Sequence, residues 1–138
     1  MKSAVSAILA LGAALVGAWL APAWAHHSFA MFDQSQKVTL KGTVQEFQWT
    51  NPHAFIHLEV ANAAGGKDMY EIELNSPNNL KRQGWKSTTI RAGDQVTLIF
   101  NPLRDASKKG GLFVAMTLAD GAVYGEPDRG AINVPSAK

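Results

Sequence analysis

Apolar and polar residues alternate along five stretches of the chain, the pattern of β-strands that bury one side. The stretches span residues 37–48, 54–60, 69–74, 95–100 and 112–118. In the first stretch, strict alternation places Glu46 on the same side as Val44 and Phe47 on the opposite side. Gly42 within it indicates a bulge or a sharp bend. The pattern therefore predicts an all-β domain with a bent first strand.

One short helix is predicted between the third and fourth strands. Ser76 can cap its first free amides, Pro77 suits its first position, and Gly84 ends it. The order of three strands, a helix and two strands is typical of the five-stranded OB-fold barrel, in which one long strand serves both sides. We therefore predict a small OB-like barrel, with a small open β-sandwich as the alternative.

The first 25 residues have the composition of a secretory signal. Lys2 is followed by an apolar run and by the small-residue site Ala23-Trp24-Ala25. This pattern predicts cleavage after Ala25 and a periplasmic protein that has no further membrane contact. The alternative is a retained N-terminal membrane anchor, since the apolar run is almost long enough to span a bilayer.

The mature chain is predicted to contain one domain with two extensions. Residues 26–36 form an N-terminal arm, residues 37–120 the barrel, and residues 121–138 a flexible tail without periodicity. The arm carries three apolar residues that are expected to dock on the barrel, namely Phe29, Met31 and Phe32.

Composition narrows the possible chemistry. The chain has no cysteine, so a metal would be held by nitrogen, by oxygen or by a Met sulfur such as that of Met31. Loss of Lys2 lowers the net charge from +2 to +1, and no basic groove is evident, so nucleic acid is not expected as a partner. Phosphate-binding and nucleophile motifs are absent from the sequence. These observations favour a binding module over an enzyme.

All four histidines lie between residues 26 and 57. If cleavage follows Ala25, the α-amine and ring Nδ1 of His26 can chelate one metal ion, and His27 offers a second route that uses a backbone amide. His53 and His57 lie about 13 Å apart if both belong to one strand, at about 3.3 Å per residue. They are then too far apart to share an ion.

A third nitrogen would come from His57 or His53. His57 is preferred because a strand holds its ring on the side away from the core, where Glu46 or Gln45 would approach it across a hairpin. One amine and two imidazoles suit copper, and the set resembles the histidine brace of copper oxygenases. The sequence thus predicts a copper-binding module.

A metal-free function is the alternative. Trp49, Phe55 and Glu59 would form a face beside His57 that recognises a small molecule or a periplasmic protein. A third possibility is a structural accessory subunit of an exported enzyme.

Several motifs resemble those of one family. They include HHSFAMFD at 26–33, WTNPH at 49–53, Ser76-Pro77-Asn78, Gly84-Trp85 and Gly93-Asp94. Together they resemble an uncharacterised family of small exported proteobacterial proteins, a domain of unknown function. The resemblance covers nearly all of the mature chain and implies a periplasmic protein, with no established activity.

Overall fold

The computed structural model describes residues 29–126, and the barrel lies in a compact unit that begins at Met31. Within the described residues, a 3-10 turn is followed by six strands and one α-helix. The turn spans Phe29–Met31, and the helix α1 spans Pro77–Arg82. The strands are β1 (Val38–Gln48), β2 (Phe55–Ala61), β3 (Lys67–Glu73), β4 (Gln95–Pro102), β5 (Gly110–Leu118) and β6 (Val123–Gly125). No helix among these residues is long and apolar enough to cross a membrane.

The strands close into a barrel. Their order in the sheet is β3-β2-β1-β4-β5-β6, and a parallel pairing of β3 with β5 joins the two ends of the five-stranded part. With α1 between β3 and β4, this is the topology of the OB-fold. The predicted fold class is therefore confirmed.

The first strand serves both sides of the barrel. Its residues 38–43 pair with β4, and its residues 43–48 pair with β2. At the crossing, a Cβ on Gly42 would lie 2.4 Å from the carbonyl oxygen of Glu59. The glycine is therefore needed for the close approach of two backbones.

A β-bulge interrupts β1 three residues beyond Gly42. The register with β2 shifts between Val44 and Glu46, so Gln45 is the extra residue. Beyond it the alternation is inverted: Phe47 packs against the core, and Glu46 is exposed. The strict alternation predicted for this strand is wrong after Val44, because one extra residue exchanges the two sides.

The predicted helix and its cap are confirmed. Ser76 caps the helix by accepting a hydrogen bond from the backbone N–H of Asn79, and Pro77 occupies the first turn. Leu80 and Trp85 are buried at the end of the barrel, each 2% exposed. Helix α1 therefore contributes to the core, together with the inward side chains of the strands.

The two extensions differ in part from expectation. In the arm, Phe32 is buried and bridges Leu103, whereas Phe29 and Met31 are about half exposed. The docking expected of this arm is therefore seen for Phe32. Residues 123–125, assigned to a flexible tail, form β6 on β5. Its Tyr124 ring packs on Trp85, a long-range contact that local composition does not indicate.

Candidate functional site

The solvent side of β1, β2 and β3 carries three of the candidate residues, and we call it the outer face. Ile56 and Leu58 of β2 point inward and are fully buried, so Phe55, His57 and Glu59 point outward. Register places these three residues in three cross-strand rows. The rows are Gln48–Phe55–Glu73, Glu46–His57–Glu71 and Thr43–Glu59–Met69.

His57 lies at the centre of this face. Its Nδ1 is 4.0 Å from a carboxylate oxygen of Glu71, and its Nε2 is 3.4 Å from Oε1 of Gln48. Of the two residues expected across from it, Glu46 is its register partner on β1, whereas Gln45 is the bulged residue. The imidazole is 24% exposed, so it remains accessible from solvent.

His53 lies just before β2 and has a different partner. Its Nδ1 lies 2.5 Å from Oε1 of Glu73. The loop around it is held by the side chain of Thr50, which donates a hydrogen bond to the His53 carbonyl oxygen. His53 and His57 thus interact with separate glutamates, Glu73 and Glu71.

The described residues contain no group of three His, Cys, Asp or Glu side chains arranged to hold a metal ion. His26 and His27, the predicted N-terminal chelate, lie outside these residues. Met31, whose sulfur was named as a possible ligand, is 47% exposed on the arm. Within the described residues, the barrel therefore offers two separate imidazoles, each beside a glutamate. It does not offer a complete metal centre built from His, Cys, Asp or Glu.

The outer face is acidic although the whole chain carries a net charge of +2. Four glutamates project from it, namely Glu46, Glu59, Glu71 and Glu73. Lys67 pairs with Glu59 at 2.6 Å, so one of the four is neutralised. An acidic surface attracts cations and repels phosphate groups.

The predicted ligand face is only partly assembled. Phe55 and Glu59 lie on the outer face, but the Trp49 ring packs edge-on against Phe47 with centroids 5.3 Å apart. Trp49 is therefore part of the packing at the end of the barrel, where Phe47 also approaches Trp85. The bulge explains this separation, because it turns Phe47 inward and provides the ring against which Trp49 packs.

Two residues of the outer face were not identified from the sequence as candidates. Neither Glu71 nor Gln48 was singled out from the sequence. The register of β2 with β3 would have indicated Glu71, since it lies directly opposite His57. The orientation of Gln48 depends on the bulge at Gln45; Gly42 indicated a bulge or bend in this strand but not its position.

A search of curated proteins finds no similar sequence. Two crystal structures of the mitochondrial single-stranded DNA binding protein Rim1 from S. cerevisiae have a similar fold. They are 14% and 13% identical in sequence, with TM-scores of 0.44 and 0.47. The match covers 63% of this chain and 97% of each Rim1 chain. Similarity at this level does not indicate what this chain binds.

The comparison does correct one expectation. We excluded nucleic acid as a partner because the charge is near neutral and no basic groove is evident. That exclusion is wrong as an inference, since proteins with a similar barrel bind single-stranded DNA. OB-folds obtain part of their affinity for nucleic acid from base stacking on aromatic rings, so charge alone does not exclude nucleic acid.

The model of one family matches residues 14–113, and the chain belongs to this family of unknown function, DUF6152.

Proposed function

We propose that this protein is a periplasmic module that binds a transition-metal ion, with copper as the expected metal. The proposal joins two sets of nitrogen ligands. One set is the amine and imidazole of His26 in a chain cleaved after Ala25, with His27 as an additional donor. The other set is the imidazoles of the barrel, with His57 preferred over His53.

One observation carries the proposal. Both imidazoles of the barrel turn Nδ1 towards a glutamate of β3, His53 towards Glu73 and His57 towards Glu71. Metal-bound histidines generally donate their second ring N–H to a carboxylate or carbonyl, which fixes the tautomer and the orientation of the ring. In that tautomer the Nε2 lone pair of His53 is left for a metal ion, whereas His57 would exchange the contact of its Nε2 with Gln48 Oε1 for the ion.

The charge of the outer face supports the same conclusion. Glu46 lies opposite His57 on the strand β1, and Glu71 lies opposite it on β3. Two carboxylates beside the imidazole lower the electrostatic cost of bringing a divalent cation to the surface. His57 is preferred because a paired strand holds it on both sides, whereas His53 belongs to a loop.

The test is a copper titration of the chain that begins at His26, with its first residue confirmed by mass spectrometry. Three variants are compared with it: His57→Gln, His53→Gln and the double change His26→Gln with His27→Gln. We expect His57→Gln to weaken binding about tenfold or more, and His53→Gln to weaken it less. Unchanged copper binding in all three variants would disprove the proposal.

A coupling measurement then shows whether the two ligand sets act on one ion. The His57→Gln change is combined with the double N-terminal change, and the effects on copper affinity are compared. Additive losses would indicate two separate sites. A combined loss smaller than the sum would indicate one shared ion. Export is checked in the same preparation, since protein recovered from the periplasm should begin at His26.

A metal-free module is the second candidate, and one observation favours it. Phe55 lies on the outer face between Gln48 and Glu73, so an aromatic ring has hydrogen-bonding groups on both sides. Such a row suits a small molecule or a protein side chain. If the second candidate is right, Phe55→Ala abolishes ligand capture while His57→Gln has no effect, and this result distinguishes the two functions.

A further inference from the structure

We propose that the connection between α1 and β4 is a docking surface for the anionic phospholipids of a membrane. We call residues 81–91 the basic segment, because they carry four basic side chains, namely Lys81, Arg82, Lys86 and Arg91. No Asp or Glu lies between Glu73 and Asp94 in the sequence. We expected no membrane contact beyond the signal, so this surface adds a function that does not depend on metal binding.

Buried residues hold the basic segment at one end of the barrel. Leu80, Trp85 and Ile90 are each at most 2% exposed and belong to one core cluster. The Trp85 N–H donates a hydrogen bond to the Leu80 carbonyl oxygen, which folds the chain back onto α1. The four basic side chains are all exposed. The apolar side chains therefore point into the barrel, and the charged ones remain in solvent.

The four positive charges are available to an external partner. Within residues 29–126, none of them forms an ion pair with a carboxylate. Arg82 donates a hydrogen bond to Oδ1 of Asn79, a neutral amide that leaves the charge uncompensated. Three lysines elsewhere each pair with a carboxylate, namely Lys67, Lys108 and Lys109. The basic segment is therefore a surface that attracts anions.

The chemistry of the basic segment favours a bilayer over other anionic partners. Its one aromatic side chain, Trp85, is buried, so it offers no platform for stacking the bases of single-stranded nucleic acid. The segment exposes no large hydrophobic side chain, so it lacks the apolar centre of a protein interface. An anionic bilayer requires only several basic side chains near its surface.

The expected binding is weak and reversible. Each Lys or Arg near an anionic membrane raises the partition coefficient about fivefold, so four raise it several hundredfold. Because no large apolar side chain of the segment can insert into the lipid, added salt should abolish binding. The acidic outer face is repelled by the same membrane, so charge alone orients the basic segment towards the lipid.

The test is co-sedimentation with vesicles of the chain that begins at His26. This chain lacks the apolar run of residues 4–20, which could itself bind lipid, and it retains the compact unit that begins at Met31. Vesicles of phosphatidylglycerol and phosphatidylcholine in equal amounts are compared with vesicles of pure phosphatidylcholine, at about 20 mM and about 500 mM salt. We expect binding only to the anionic vesicles and only at the lower salt concentration.

Two double variants of equal net charge locate the surface. Lys81→Gln with Lys86→Gln removes two charges from the basic segment. Lys67→Gln with Lys108→Gln is the matched control, because it removes two paired charges elsewhere. We expect the first double variant to weaken the partition about 25-fold and the control to change it less than about threefold. Circular dichroism confirms that both are folded.

Three results would overturn the proposal. Equal losses in the two double variants would show that binding follows net charge and not the basic segment. A parent chain that stays unbound by anionic vesicles at the lower salt concentration would exclude membrane docking. Capture of a single-stranded oligonucleotide in place of the vesicles would assign the segment to nucleic acid instead. The copper titration fails or succeeds independently, since neither Lys81 nor Lys86 lies on the outer face.

Discussion

At the scale of single residues, Gly42 has the strictest steric requirement in β1. It lies where β1 leaves β4 and begins to pair with β2. A side chain there would meet the Glu59 carbonyl oxygen at 2.4 Å and the Leu58 side chain at 2.9 Å. Backbone atoms cannot move aside as a flexible side chain can, so the strands themselves would have to separate.

We predict that Gly42→Ala lowers the free energy of unfolding by about 2 kcal/mol. Gly66→Ala is the control, because a Cβ there meets nothing closer than 3.4 Å and the residue lies in the hairpin loop between β2 and β3. It should change stability by no more than about 1 kcal/mol. Urea denaturation of both variants measures the difference. Equal stabilities would contradict the close approach of β1 and β2.

At the scale of elements, the contact between β3 and β5 closes the barrel with few backbone pairs. The parallel register covers only Glu71–Glu73 of β3 and Gly110–Leu112 of β5. A side-chain pair lies beside it, in which Lys109 bonds to Asp68 and its ammonium lies 5.9 Å from the centre of the Tyr70 ring. This pair stabilises the closure next to the point where β5 begins.

The pKa values of the pair indicate how its contribution depends on pH. Hydrogen bonds from Lys109 and then Asn62 hold the pKa of Asp68 below its ordinary value of 3.8, and the bond to Asp68 raises the pKa of Lys109. Because the pKa of Asp68 is lowered in the folded state, its ionised carboxylate stabilises the fold above pH 3.8. This contribution is lost as the pH falls through the pKa that Asp68 has in the folded state. The contribution of Lys109 is lost only in strongly alkaline solution, as the pH rises through its raised pKa.

We therefore predict that Lys109→Met lowers stability at pH 7 and that its difference from the parent shrinks at acid pH. Lys108→Met is the neighbouring control, since its ammonium lies 3.9 Å from Asp105 on an exposed loop. It should have little effect. Urea denaturation between pH 7 and about pH 2 provides the measurement. A difference that persists undiminished at the acid end would show that the effect is not electrostatic.

At the scale of the whole molecule, β6 completes the aromatic packing at one end of the barrel. Trp85, which follows α1, contacts Phe47 from β1, Phe113 from β5 and Tyr124 from β6. The Tyr124 and Trp85 centroids are 4.8 Å apart. Segments far apart in the sequence thus bury one large side chain together.

We predict that a chain ending at Ala122 is less stable than one ending at Glu126 by about 3 kcal/mol, because Trp85 loses the contact with Tyr124. Both chains lack the same terminal residues beyond 126, so the comparison isolates β6. Urea denaturation followed by tryptophan fluorescence measures the change. If the two chains unfold at the same urea concentration, β6 does not contribute to the core.

Much of the fold could be predicted because its signals are local. Alternation located five strands, Ser76 and Pro77 located the helix, and the order of elements indicated the barrel. Each of these features depends on neighbours within a few residues. The same local pattern placed Phe55 and His57 on the side of β2 away from the core, which the structure confirms.

The orientations of Phe47, Gln48 and Trp49 were decided by the tertiary structure, because they depend on the bulge in β1. Strand alternation has a period of two, so the single extra residue at Gln45 reverses everything after it. This shift brings Gln48 to His57, turns Phe47 inward and draws Trp49 away from Phe55. Whether a strand bulges depends on the partners it must meet around a closed barrel. Those partners are distant in the sequence, so no local pattern reports them.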